Sequence, residues 1–195
     1  MPRISGSLRA TLAGVCLATI ATCTACSIPG GGTDQTVAGS LSAGAPRAQP
    51  LGTADPSPKT QRPSAPAQLA VAGVRVGAHE GFDRVVVDLE GKGTPGWFVD
   101  YTSTPIQETV GHPLEVAGNA FLNINIDGTV YPFELGHDND VPVQMAGDTG
   151  NVIDAVSAGT YEGRSQVVVG LRSELPYSVQ VLHDPTRVVV DIVQK

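Results

Sequence analysis

From Gln68 onward, apolar and polar side chains alternate residue by residue along several short runs, which is the period of half-buried β-strands. Val85, Val87 and Leu89 point to one side, and Arg84, Val86 and Asp88 to the other. The run Phe121-Leu122-Asn123-Ile124-Asn125-Ile126 alternates as cleanly. Leu122, Ile124 and Ile126 take the core side, and Asp127-Gly128 closes the run with a turn. Val167–Leu171, Tyr177–Leu182 and Val188–Ile192 complete the set. Gly91-Lys92-Gly93, Pro95-Gly96, Gly111-His112-Pro113 and Asp184-Pro185 read as the turns between runs. No stretch keeps a helical period beyond about two turns, so the expected fold is all-β, a β-sandwich.

The runs also resemble one another. Glu80–Leu89 aligns with Glu162–Leu171 at an offset of 82 residues, and Arg84-Val85-Val86-Val87-Asp88-Leu89 returns as Arg187-Val188-Val189-Val190-Asp191-Ile192. Copies of one strand motif imply two pseudo-symmetric halves. If the first and last copies pair antiparallel with Val86 opposite Val189, Arg84 faces Asp191 and Asp88 faces Arg187. Opposite charges directly across a ladder contribute about 0.2 to 1 kcal/mol, whereas a parallel match sets like against like.

The first 67 residues follow other rules. Arg3 and Arg9 precede Ala10–Ala25, an uncharged, largely apolar run of 16 residues. A membrane span needs about 20 such residues, so the run reads as the core of a signal peptide over residues 1–25. Thr24 and Ala25 are small residues before Cys26, and Ser27-Ile28-Pro29-Gly30 cannot continue a helix. That resembles a bacterial lipobox, with Cys26 the expected lipidation site, carrying acyl chains of the palmitate kind. Cys23 is the rival, with Ile20 at its −3 position but Thr22 at −1, and a simple secreted form is the third alternative. Two acyl chains suffice for stable anchoring at about 0.8 kcal/mol per buried CH₂. Residues 27–67 hold seven prolines with much Ala, Gly, Ser and Thr. Such a segment buries too little to offset its ordering entropy, so residues 26–67 are expected to be a disordered tether. As a coil it would span roughly 35 Å.

Composition narrows the chemistry. Cys16, Cys23 and Cys26 are the only cysteines, so nothing beyond residue 26 can form a disulfide, ligate zinc through sulfur or act as a thiol nucleophile. From Gln68 on, seven Lys/Arg stand against seventeen Asp/Glu, a net charge of −10. Nucleic acid and anionic headgroups would be repelled.

His79, His112, His137 and His183 show no metal-motif spacing, and there is no GxSxG elbow, SxxK or phosphate loop. His79-Glu80 reads as a loop at a sheet edge, since adjacent strand residues face opposite ways. His137-Asp138-Asn139-Asp140 lacks calcium-loop spacing and a distal Glu, so it reads as a solvated loop. Trp97, Val99 and Tyr101 share one strand face and read as core packing. No catalytic residue, metal or cofactor is expected. The candidate ligand-binding residues are Phe121, Asn123 and Asn125, which alternation places away from the core. Two amides in line offer donors and acceptors to sugar hydroxyls, beside a ring that can stack on a pyranose.

Gly81-Phe82-Asp83-Arg84-Val85-Val86-Val87, Pro95-Gly96-Trp97, Tyr161-Glu162-Gly163 and Asp184-Pro185-Thr186-Arg187-Val188-Val189-Val190-Asp191 together resemble the AMIN-like domain of actinobacterial envelope lipoproteins. AMIN domains proper accompany N-acetylmuramoyl-L-alanine amidases and secretins, and are β-sandwiches that localise their hosts to peptidoglycan. The resemblance covers nearly everything from Val74 to Lys195, within a domain expected over residues 68–195, and implies a non-catalytic module at the extracytoplasmic face of the cell membrane. Its implied partner is cell-wall glycan or peptidoglycan, with an adaptor for an envelope protein as the alternative.

Overall fold

The computed structural model describes residues 47–146 and 150–194. The expected signal peptide, Cys26, Cys23 and the tether up to residue 46 lie outside these residues.

Twelve strands follow in order among the described residues. They are β1 (Lys59–Gln61), β2 (Ser64–His79), β3 (Phe82–Thr94), β4 (Gly96–Thr102), β5 (Ile106–Gln107), β6 (His112–Pro113), β7 (Ala120–Asp127), β8 (Val143–Ala146), β9 (Val152–Tyr161), β10 (Arg164–Leu171), β11 (Tyr177–Leu182) and β12 (Arg187–Val193). Among the described residues a single 3₁₀ turn, Pro132–Leu135, stands between β7 and β8. One sheet has the order β1-β4-β7-β10-β9 and the other β11-β12-β3-β2-β8, while β5 and β6 form a small hairpin of their own. Alternation sends Val74, Val76, Val85, Val87, Val188, Val190 and Ile192 from the second sheet against Val99, Leu122, Ile124, Ile126, Val167 and Val169 from the first. The fold is the all-β sandwich that the sequence predicts.

The pseudo-symmetry shows in the strand order. Hairpin β2–β3 lies beside β12–β11 in one sheet, and hairpin β9–β10 lies beside β7–β4 in the other, so each half lends a hairpin to both sheets. The first and last motif copies are neighbours in the predicted register, Arg84 opposite Asp191, Val86 opposite Val189 and Asp88 opposite Arg187. Trp97 and Val99 are buried in the core. Tyr101 packs against it and donates its hydroxyl to Leu175 O at 2.6 Å.

Two sequence expectations change. Gly91-Lys92-Gly93 does not turn; β3 runs through it to Thr94, because β2 passes so close that a Cβ at Gly91 would sit 2.2 Å from Gln68 O. The boundary expected at Gln68 falls inside β2, and residues 47–67, expected as tether, line the sandwich. Asp55 and Tyr177 exchange backbone hydrogen bonds of 3.1 Å, Lys59 sits over the Tyr177 ring, and β1 pairs with β4. Prolines are compatible with this edge position, where a missing N–H costs nothing to a ladder.

Candidate functional site

The expected ligand row on β7 is reached first from the loop that follows β4. Residues 103–119, with the β5–β6 hairpin, fold back over the outer face of the β7 sheet. Gln166 Oε1 accepts from Glu108 N at 3.0 Å, and Gln166 Nε2 donates to Ile106 O at 2.9 Å and to Asn123 Oδ1 at 3.1 Å. Asn125 is 1% exposed and donates to Glu108 Oε1 at 2.9 Å. Asn123 makes a longer contact of 3.4 Å to the same oxygen and borders a small cleft of about 170 Å³. Phe121, opposite Thr102 and Gly170, is half-buried. Alternation placed the three side chains on the outer face correctly, but the expectation of a free polar row fails for Asn125, because the loop covers it.

Burial raises the Asp100 carboxyl pKa, and the Glu108 charge raises it further; Asp100 Oδ1 and Asn125 Oδ1 are both buried without a partner. This patch is a neutral-amide and carboxylate network that fastens a loop.

The outer face of the opposite sheet is open. Arg75, Arg84 and Arg187 project from β2, β3 and β12 around a groove of about 590 Å³, floored by Val86 and Val189 and bordered by Gln144 and His79. Six Lys/Arg lie between Gln68 and residue 194, and half of them line this groove.

Their states differ. Arg84 forks onto Asp191 with contacts of 2.7 and 2.8 Å, as the register requires, and its ring-side neighbour is Phe82 at 5.1 Å. Asp191 is fully buried and also accepts Leu51 N at 2.6 Å, while Arg84 donates to Gln49 O at 3.0 Å. Ser178 Oγ donates to Leu51 O. Segment 49–51 is thus strapped across one end of the face. Asp88, expected to serve Arg187, is instead gripped by Arg75 from β2 at 2.6 and 2.7 Å, and this hydrogen bonding raises the Arg75 pKa. Arg75 stands opposite Val86, diagonal to Asp88, which lets its fork reach both carboxylate oxygens. Arg187 bonds only Pro185 O at 3.0 Å and has no carboxylate partner among the described residues.

The residues that carry the resemblance build this face. Phe82 is buried under a stacked His79 at 4.7 Å. Asp83 accepts the backbone N–H groups of Gly150, Asn151 and Val152 at 3.0, 2.5 and 2.9 Å, tying β3 to the start of β9. Arg84 is the groove wall. His79 and Glu80 form no acid/base pair, since Glu80 bridges to Arg47 at 3.1 Å. His137 meets Glu90 at 3.0 Å. Sequence reasoning did not single out the groove, because Arg75, Arg84 and Arg187 are distant in sequence; the outward arginines of the repeated motif were the available signal.

A family model for the AMIN-like domain matches residues 69–194. Neither the curated proteins nor the solved structures contain a match to the chain.

Proposed function

The chain belongs to the AMIN-like domain family, and from that premise we propose that it is a non-catalytic envelope lipoprotein whose sandwich holds cell-wall peptidoglycan through the arginine groove. Family membership makes it a cell-wall-related module. The anchor in this reading is Cys26 at the extracytoplasmic face of the membrane, followed by a Pro-rich tether that ends where the strap begins.

The observation that carries the reading is Arg187. A guanidinium without a carboxylate partner, in a groove with two further arginines, lies on a domain whose residues 47–195 carry a net charge of −8. The long-range field repels extended polyanions, so only a compact anion that reaches the groove gains from it. A stem-peptide carboxylate has that form, and Arg187 offers it a fork.

The test is sedimentation with isolated wall sacculi. Wild type is expected to pellet, and Arg187→Ala to bind about tenfold more weakly, the scale of one charge-assisted contact. Its unfolding should shift by less than about 0.5 kcal/mol, since the side chain's one hydrogen bond, to Pro185 O, is exposed. A chain that stays in the supernatant while crosslinking captures an envelope protein would favour the adaptor role instead.

A further inference from the structure

The aromatic side chains are unevenly used. Of nine Phe, Tyr and Trp residues, only Tyr131, Phe133 and Tyr161 are well exposed, at 40, 59 and 46%, and they lie at one end of the sandwich. Tyr131 and Phe133 stack near-parallel, 14° apart with centroids at 5.4 Å. The Tyr161 phenol pKa is raised, first by its hydrogen bond to Glu162 and last by the neighbouring Tyr131.

The framework beneath them is tied down at both ends. Val130 N donates to Leu69 O at 2.7 Å and Tyr131 N to Glu134 Oε1 at 3.0 Å. Gly136, in the left-handed region at φ 84°, closes the 3₁₀ turn onto Phe133 O. Tyr161 begins the β9–β10 turn, where Glu162 and Gly163 have φ of 48° and 84°, the two positive values of a tight hairpin turn. Gly128 and Thr129 N–H both donate to Gly163 O, at 2.9 and 3.1 Å, locking the two turns together. Rings held this way lose little freedom on binding.

The surroundings select the occupant. Beside Tyr161 opens a cleft of about 370 Å³ lined by Glu108, Asp127, Glu162 and Arg164. Arg164 is held by Asp127 at 2.7 Å, leaving carboxylates in excess, so anionic polymers are disfavoured. Protein interfaces deplete charge at their centres, whereas this cleft is walled by charged groups immediately beside the rings. Flat apolar rings next to a dense set of acceptors and donors match a pyranose, which pairs an apolar face with a rim of hydroxyls.

We propose that Tyr131, Phe133 and Tyr161 form a stacking platform for an uncharged N-acetylated amino-sugar strand, whose hydroxyls turn into the Glu108–Glu162–Arg164 cleft. The choice of a wall glycan rests on the wall-binding reading, and the platform is separate from the arginine groove.

Titration of the full-length protein with tetra-N-acetylchitotetraose tests it, because that probe carries neither peptide nor carboxylate for the groove. Expected are millimolar binding and NMR shifts concentrated on the three rings. Phe133→Ala with Tyr161→Ala should weaken binding about tenfold or more, whereas Arg187→Ala should leave it unchanged. Phe133→Ser serves as a second variant if the double one misfolds. Shifts elsewhere, binding indifferent to the ring variants, or ring-dependent capture of a protein without any oligosaccharide binding would each overturn the platform. Sacculus binding that still depends on Arg187 would then leave the groove standing, and loss of both would end the wall reading.

Discussion

Strands β3 and β10 are copies of one motif, and their outward side chains meet opposite fates. In β3, Arg84, Val86 and Asp88 stand on an open face; in β10, the matching positions are Gln166, Val168 and Gly170, under the loop of residues 103–119. The substitutions follow from the cover. Gln166 replaces an arginine with a neutral amide that satisfies loop backbone at Ile106 and Glu108. Gly170 replaces an aspartate because a Cβ there would lie 1.9 Å from Ala117 O. The last copy, in β12, keeps Arg187, Val189 and Asp191 and shares the open sheet with β3. Outward charge survives on this sheet, open around Arg187 and strapped by segment 49–51 at Asp191, whereas an amide and a glycine stand under the loop of residues 103–119.

Reversing a covered position should therefore produce the largest effect. Gly170→Ala drives a methyl into loop backbone that cannot swing aside, and is expected to cost about 3 kcal/mol in denaturant unfolding. The mirror change on the open face, Asp88→Ala, removes a salt bridge whose Arg75 side chain is 51% exposed, and should cost less than about 1 kcal/mol. Equal costs would abolish the distinction between the faces.

That contrast also explains what could be read in advance. Alternation identifies which side of a strand leaves the sandwich, and it placed Leu122, Ile124, Ile126, Val85 and Val87 in the core, while the repeated motif, if paired antiparallel, set Arg84 opposite Asp191. It carries no information on whether a distant loop covers that outer side, which is why Asn125 was expected in solvent and lies buried. The strap escaped for a related reason. Nothing in Gln49–Asp55 is periodic, and its partners Arg84, Tyr177, Ser178 and Asp191 are supplied by strands far along the chain. Strand β2 was missed as an element because its Ala and Gly residues blur the alternation that Val74 and Val76 continue.

A smaller effect sharpens the picture of the cover. Asn125→Ala leaves Glu108 without its 2.9 Å donor but also removes the unpartnered Asn125 Oδ1, so the net cost is expected near 1.5 kcal/mol. Asn123→Ala loses a 3.4 Å contact to Glu108 and one acceptor of Gln166 Nε2, which keeps Ile106 O, and should cost less, about 1 kcal/mol. Chemical denaturation of the two variants checks the order, and the reverse order would mean that the loop is fastened through Asn123 and Gln166.

The smallest effect has the opposite sign and depends on pH. Under the same loop, burial raises the Asp100 pKa and Glu108 repels its charge, while Oδ1 finds no donor. Between the unfolded carboxyl value of about 4 and the raised folded value, the native state keeps a proton that the unfolded chain has released. Stability from this group therefore falls as pH rises through that window, and at neutral pH the folded protein carries the full penalty. Asp100→Asn removes the charge that burial and Glu108 disfavour, so the variant should be more stable by about 0.5 to 1 kcal/mol at pH 7. Below about pH 4, where the wild-type carboxyl is protonated in both states, the advantage should vanish. Denaturant titrations of both proteins at the two pH values decide the matter. An advantage of equal size at both would assign it to packing, and a loss at pH 7 would show that the Asp100 charge is used by the fold.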